Sequence, residues 1–473
     1  MKKYKKVIST MLSLAMVLSL AACGKSQTGN TETSTTEPAA ETTTETAAEA
    51  TTETDAGSEG GDEIHISYSY WGTPDEAASV QEVADKYHEE NPGVVVDIVC
   101  IPNEEYVTKL NTMAAANELP DCGIMNEAGV LDFGSKGLLA DISDMYAGAD
   151  AAPLDSITFK ADGKPVAYSA ANEILVLYYN KDLFDAAGVP YPSSTEAMTW
   201  DEFVDTAKKL TIDVNGKNAS EDGFDPENIV QYGCTVDNWT WQLEVWALSN
   251  GGRWFSEDGK SCTINTPEVA ESIQKVADLM NLEHVMPYRA GLTDDGVQST
   301  ICAGNIAMST GGAWNIGTCL NGVDFNYGVA RLPKMKSSVT ICTGGPQVVF
   351  SQSKHPAEAM EFIKWYMKEE NSWDSLIATG IWMPILEKYY TDEALTNSWI
   401  DNENFPEHEE CVGALVDYAM DNAQSTCWYY VPHTNEFIEL LRAVLGDVWT
   451  GDATAESVLS DNYDALNAVF LGE

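Results

Sequence analysis

A chain of 473 residues with 26 Lys and Arg against 74 Asp and Glu carries a formal net charge of −48. So few cations cannot neutralise a row of phosphates, which excludes nucleic acid and an anionic lipid surface as partners. Hydrophobic residues make up 44% of the chain, enough for a buried core, and the length exceeds what one core holds, so two domains are expected.

Lys2, Lys3, Lys5 and Lys6 precede a mostly apolar run from Val7 to Leu20. The run is too short and too interrupted by Ser and Thr for a membrane span, and it has the order of a secretory signal. Leu18-Ser19-Leu20-Ala21-Ala22-Cys23-Gly24 closes it and resembles the lipobox of bacterial lipoproteins. That resemblance implies a signal peptide over 1–22, a diacylglyceryl thioether on Cys23 and anchoring at the extracytoplasmic face of the cell membrane. Two acyl chains are sufficient for stable anchoring. Residues 23–63 then form an acidic linker of Ser, Thr, Glu, Ala and Gly. With almost no large apolar side chain it cannot offset its ordering entropy, so a disordered spacer is expected.

The body begins at Ile64. Ile64, Ile66, Tyr68 and Tyr70 alternate with polar residues and predict a strand. A helix follows over about 75–90, ended by Asn91-Pro92-Gly93, then a strand over 94–101, a helix over 104–117 and a short strand reaching Met125. This βαβαβ order predicts a parallel sheet with right-handed crossovers. Ligands on such sheets bind beyond the carboxyl ends of the strands, here Tyr70-Trp71 and Asn126-Glu127. Residues 166–179 are strand-rich. Helices are expected at 200–210, 239–250, 267–282 and 356–368, with a long one at 435–449. Asp213-x-Asn215 opens a polar loop to Asn228. It lacks the residue order of a calcium loop, and no metal is expected there.

Nine cysteines follow Cys23: Cys100, Cys122, Cys234, Cys262, Cys302, Cys319, Cys342, Cys411 and Cys427. None forms a zinc-ligand pattern. An odd number cannot all pair, and the expected state is mostly buried thiols, with one or more disulfides left open.

Three motifs carry a family resemblance. The first is Tyr179-Asn180-Lys181-Asp182-Leu183-Phe184, with Ala187-Gly188-Val189-Pro190 and Thr199-Trp200-Asp201-Glu202-Phe203. The second is Ala303-Gly304-Asn305-Ile306-Ala307-Met308 with Gly311-Gly312-Ala313-Trp314. The third is Tyr327-Gly328-Val329-Ala330-x-Leu332-Pro333 with Pro356-Ala357-Glu358-Ala359-Met360-Glu361-Phe362-Ile363. In this order they resemble the extracellular solute-binding proteins of ABC importers, in the sugar-binding group that includes maltose-binding protein. The resemblance implies an α/β, two-lobed, periplasmic-binding-protein-like fold with hinge crossings and a ligand cleft between the lobes. Carried over, lobe one spans 64–170 plus 338–380 and lobe two 175–335 plus 384–473. The crossings fall at 170–174, 333–341 and 380–384.

The same resemblance assigns ligand contacts. Asn126 and Glu127 fall in a lobe-one sugar-contact loop. Glu173 stands at the spacing of a sugar-contacting Glu near the hinge. Trp239, Trp241 and Trp314 match stacking aromatics. Trp71 and Trp382 join them from their strand-end and hinge positions. The implied protein is a monomeric binder without cofactor that takes a carbohydrate, an oligosaccharide for preference, and delivers it to a permease. Two alternatives stay open: a secreted glycoside hydrolase, which needs two carboxylates about 5–10 Å apart, and the same fold with a peptide, polyamine or anion as ligand. No Gly-x-Ser-x-Gly or His-Glu-x-x-His motif favours hydrolysis.

Overall fold

Alternating and apolar runs become two sheets, and the chain passes between them several times. The computed structural model describes residues 63–71, 74–102, 105–146, 153–236, 240–287, 301–368, 371, 373 and 377–473. The signal, Cys23 and nearly all of the linker lie outside them. The described residues belong to one unit, Gly60–Glu473.

β1 (Ile64–Trp71), α1 (Pro74–Glu90), β2 (Val94–Ile101), α2 (Tyr106–Ala116) and β3 (Cys122–Ile124) follow in the expected order. β1 runs parallel to both neighbours, with Trp71 opposite Ile101 and Tyr68 opposite Cys122. α3 (Glu127–Ser135) begins directly after β3, because the Asn126 side chain accepts the Gly129 N–H and caps the helix. β4 (Thr158–Ala161) and β5 (Lys164–Ser169) complete this part of the chain.

The second lobe holds β6 (Glu173–Asn180), α4 (Lys181–Ala187), α5 (Trp200–Leu210), β7 (Ile212–Asp213), β8 (Ile229–Thr235), α6 (Leu243–Ser249) and α7 (Pro267–Asn281). It continues with β9 (Ile306–Gly312), α8 (Asn315–Thr318), β10 (Tyr327–Ala330) and β11 (Thr340–Thr343). β12 (Pro346–Val349) and α9 (Pro356–Tyr366) belong to the first lobe again, and β13 (Ala423–Ser425) to the second. β6 lies between β9 on one side and β10 and β11 on the other, and all eight of its residues are buried. That explains its unbroken apolar sequence: both faces are covered, so no alternation is selected.

The first sheet has the order β2-β1-β3-β12-β5-β4 and the second β13-β11-β6-β9-β8-β7, with β10 beside β6. The first sheet is mixed rather than parallel throughout. β12 returns from the second lobe and pairs antiparallel with both β3 and β5. The second crossing also lies later than expected. β11 pairs with β6 and β13 in the second sheet, so a first lobe starting at 338 begins too early. The chain crosses at Gly344-Gly345, where a Cβ on Gly344 would meet the Ala171 carbonyl oxygen at 2.1 Å and Gly345 has φ +50°. Only glycine allows both.

Three further differences are local. The expected helix over 435–449 is two helices, Thr434–Val444 and Gly446–Thr450, divided next to a poor helix former. The expected helix over 239–250 is a 3₁₀ turn at Thr240–Gln242 followed by α6. Cys302 and Cys319 form a disulfide, while Cys122, Cys234, Cys262, Cys342, Cys411 and Cys427 are buried thiols and Cys100 is exposed. In the 213–228 loop the Asp213 carboxylate accepts the backbone N–H groups of Asn215, Lys217 and Asp225 at 2.8–2.9 Å, which ties the loop together. Among the described residues no helix is long and apolar enough to cross a membrane.

Candidate functional site

Two carboxylates stand where the chain crosses between the lobes. Glu127, the first residue of α3, accepts three hydrogen bonds at Oε1: from Thr343 Oγ1 at 2.5 Å, Gly344 N–H at 3.0 Å and Gly345 N–H at 3.2 Å. Glu173, the first residue of β6, pairs with that same Thr343 in the sheet. Its Oε1 accepts the Met383 N–H at 2.9 Å, so it ties the first crossing to the third. Glu127 thus fastens the second crossing to lobe one. Each contact is charge-assisted when the carboxylate is ionised, and spans more than 200 residues of sequence.

Glu173 is 4% exposed, and its Oε2 makes no hydrogen bond of ordinary geometry. Burial pushes its carboxyl up to about 8, against the opposing pull of the Met383 and Trp314 N–H groups. Near neutral pH it therefore carries a proton.

The aromatic candidates fall into two groups. Trp71, at the carboxyl end of β1, meets Tyr106 edge to face with ring centres 5.6 Å apart. Trp241, in the turn before α6, lies 5.3 Å from Trp428 at an interplanar angle of 38°. Tyr106 and Trp428 belong to one apolar cluster with Met125 and Ala128, and Trp71 and Trp241 pack against it. This cluster draws on strands of the first lobe, the 240–242 turn of the second, and the segment after β13. Trp71 and Trp241 also touch the larger core, and Trp314 and Trp382 pack on that core alone. Trp382 contacts Tyr366 at 6.4 Å and immediately precedes Met383, the Glu173 partner. Trp314 is half-buried and follows Ala313, whose N–H bonds Ile174 O. Its indole lies over Gly312, where an added Cβ would come within 2.0 Å of the ring. Asn126 is half-buried and engaged as the cap of α3. Trp239 lies outside the described residues.

Sequence reasoning missed a polar group of atoms beside Trp241. Glu244, in the first turn of α6, is 1% exposed; its Oε2 accepts the Cys427 N–H at 2.9 Å and its Oε1 has no partner. Burial raises its carboxyl to about 7, against the pull of Cys427 and Arg253. Trp428 Nε1 and Thr426 Oγ1 are also buried without partners. Buried polar atoms left unpaired are costly and mark a place for water or a ligand. The signal in the sequence was the aromatic run Trp428-Tyr429-Tyr430 directly after a cysteine.

Indoles from both lobes thus meet in one cluster beside buried hydrogen-bonding atoms, and carboxylates tie the crossings between the two lobes. Residues 71–373 match the family model of the bacterial extracellular solute-binding proteins, and the chain belongs to that family. A Brucella abortus protein named as a binding protein is 22% identical over 408 residues, covering 82% of this chain and 89% of that one. The ABC substrate-binding protein of Listeria monocytogenes solved with cycloalternan superposes with a TM-score of 0.69 at 24% identity, over 87% of this chain and all of that one. The GacH receptor of Streptomyces glaucescens, solved unliganded and with acarbose, gives 0.68 at 21% identity, over 86% and 99%. At these identities the two structures speak to the fold.

Proposed function

We propose that this protein is a lipid-anchored extracellular receptor that closes its two lobes on a carbohydrate, preferably an oligosaccharide, and delivers it to an ABC permease. The observation that carries the reading is that indoles and unpaired buried polar atoms meet in one cluster. Trp71, Trp241 and Trp428 supply flat faces, and Trp428 Nε1, Glu244 Oε1 and Thr426 Oγ1 supply unpaired donors and acceptors. A pyranose needs both: its C–H face suits an aromatic ring, and its hydroxyls need partners. Trp314 is the matching platform near the hinge. The fold whose solved examples hold cycloalternan and acarbose is in keeping with this reading.

Lipid attachment at Cys23 rests on the lipobox, and the linker over 23–63 supplies the reach from membrane to permease. Lobe one is taken as 64–170 plus the chain from about 346 to 380, and lobe two as 175–343 plus 384–473. The monomer is the working state. Hydrolysis is disfavoured by what the two hinge carboxylates already do: Glu127 Oε1 holds three donors, and Glu173 is buried on Met383. Neither stands ready to flank a glycosidic bond.

A thermal-shift panel tests the reading. Oligosaccharides of several linkages should raise the melting temperature, and peptides, polyamines and phosphate should not. A shift confined to a non-sugar class would replace the carbohydrate assignment. Release of reducing ends from the sugars that bind would turn the binder into a hydrolase.

A further inference from the structure

One cluster of metal-ligating side chains lies apart from the proposed sugar site. Asp132, on α3, is 9% exposed. Its Oδ1 accepts the His433 backbone N–H at 3.0 Å, and the His433 Nδ1 stands 3.4 Å from the same oxygen. That separation is longer than a hydrogen bond between such groups. His433 adopts a left-handed φ of 60° and leads into the helix Thr434–Val444, with Glu436 three residues on. One ligand atom from each of Asp132, His433 and Glu436 lies within 4.8 Å of the other two.

We propose that Asp132, His433 and Glu436 bind a divalent first-row transition cation of the zinc class. Bonds of about 2.0–2.2 Å to imidazole nitrogen and carboxylate oxygen put the ligands of a tetrahedral ion about 3.3–3.5 Å apart. The Asp132 and His433 atoms already have that spacing, and the exposed Glu436 reaches it by rotating its side chain. An imidazole with two carboxylates selects transition ions over calcium or magnesium, which prefer oxygen alone. Three protein ligands leave the fourth position to water. The ion also removes the repulsion between two carboxylates held this close, and a chain of charge −48 concentrates cations at its surface.

The ion would fasten α3, which carries Asn126 and Glu127 at its start, to the segment that carries Trp428. It would therefore be a clamp on the framework of the ligand site rather than a group that touches ligand. The proposal does not depend on the sugar reading.

The test is titration calorimetry of the chelator-stripped protein, purified without a histidine tag, with zinc chloride. The expected result is one saturable zinc per chain, weakened at least about tenfold by Asp132→Asn and by Glu436→Gln. Glu436 is exposed, so Glu436→Gln leaves the fold intact and keeps the test valid if Asp132→Asn is unstable. Absence of a one-to-one site, or equal affinity in wild type and Glu436→Gln, would overturn the proposal.

Discussion

Gly312 and Trp314 fit together so closely that a single methyl group separates two outcomes: a Cβ on Gly312 would lie 2.0 Å from the Trp314 ring. The indole must move if that methyl group is added, because β9 is buried on all seven residues and cannot yield easily. Gly312→Ala is expected to cost about 1–3 kcal/mol of stability by overpacking and to weaken ligand binding by displacing the ring. Denaturant unfolding and ligand titration on the same variant measure both. Unchanged affinity with a displaced ring would take Trp314 out of the site.

Glu127 holds the second crossing. Glu127→Ala leaves the Gly344 and Gly345 N–H groups without their acceptor. A hydrogen-bonded charged group contributes about 1.5–3 kcal/mol, so a loss of that order is expected in denaturant unfolding. Glu127→Gln, which keeps an acceptor oxygen, should recover part of it.

Glu173 predicts a pH dependence with a definite sign. Burial raises its folded-state value to about 8, above the ordinary glutamate value of 4.5. The unfolded chain therefore releases the proton first, and stability falls as pH rises from about 4.5 to about 8. Glu173→Gln cannot ionise, so its melting temperature should fall less than that of wild type between pH 5 and pH 8. Parallel melting curves for the two proteins over that range would contradict the buried, protonated state. Glu244, raised to about 7, predicts the same sign over a narrower window.

The first three strands were legible because alternation and Asn-Pro-Gly punctuation are local signals, and β1, β2 and β3 follow them. The crossing at Gly344-Gly345 was not, because two glycines after a strand read as an ordinary turn until Ala171 is seen against them. Glu127 was legible as a polar residue at a strand end, and Glu173 through the family resemblance. Their roles as ties were not, since the Glu127 and Glu173 partners lie 216 and 210 residues away. Glu244 escaped notice for the same reason: its partner Cys427 is 183 residues distant, and a glutamate in a first helical turn needs no special explanation.

Trp428 separates packing from recognition. Its Nε1 is buried without a partner, while its ring packs on Trp241. Trp428→Phe removes the N–H and retains an aromatic ring. If the N–H donates to a ligand hydroxyl, affinity should fall by roughly 5- to 150-fold, the equivalent of about 1–3 kcal/mol for an unpaired buried group. Equal affinity would assign that N–H to internal water.

The measurement closest to the central claim is the affinity of one oligosaccharide, identified by the thermal-shift panel, for wild type and for Trp314→Ala, determined by titration calorimetry with the ligand-free melting temperature of each. Aromatic contact is worth roughly 0.5–1.5 kcal/mol beyond burial at about 25 cal/mol per Å². Loss of the ring should therefore cost on the order of 2–4 kcal/mol, or roughly 30- to 1000-fold in affinity, with a ligand-free melt close to wild type. Unchanged affinity, or a melt far below wild type with binding retained, would contradict a sugar held against Trp314.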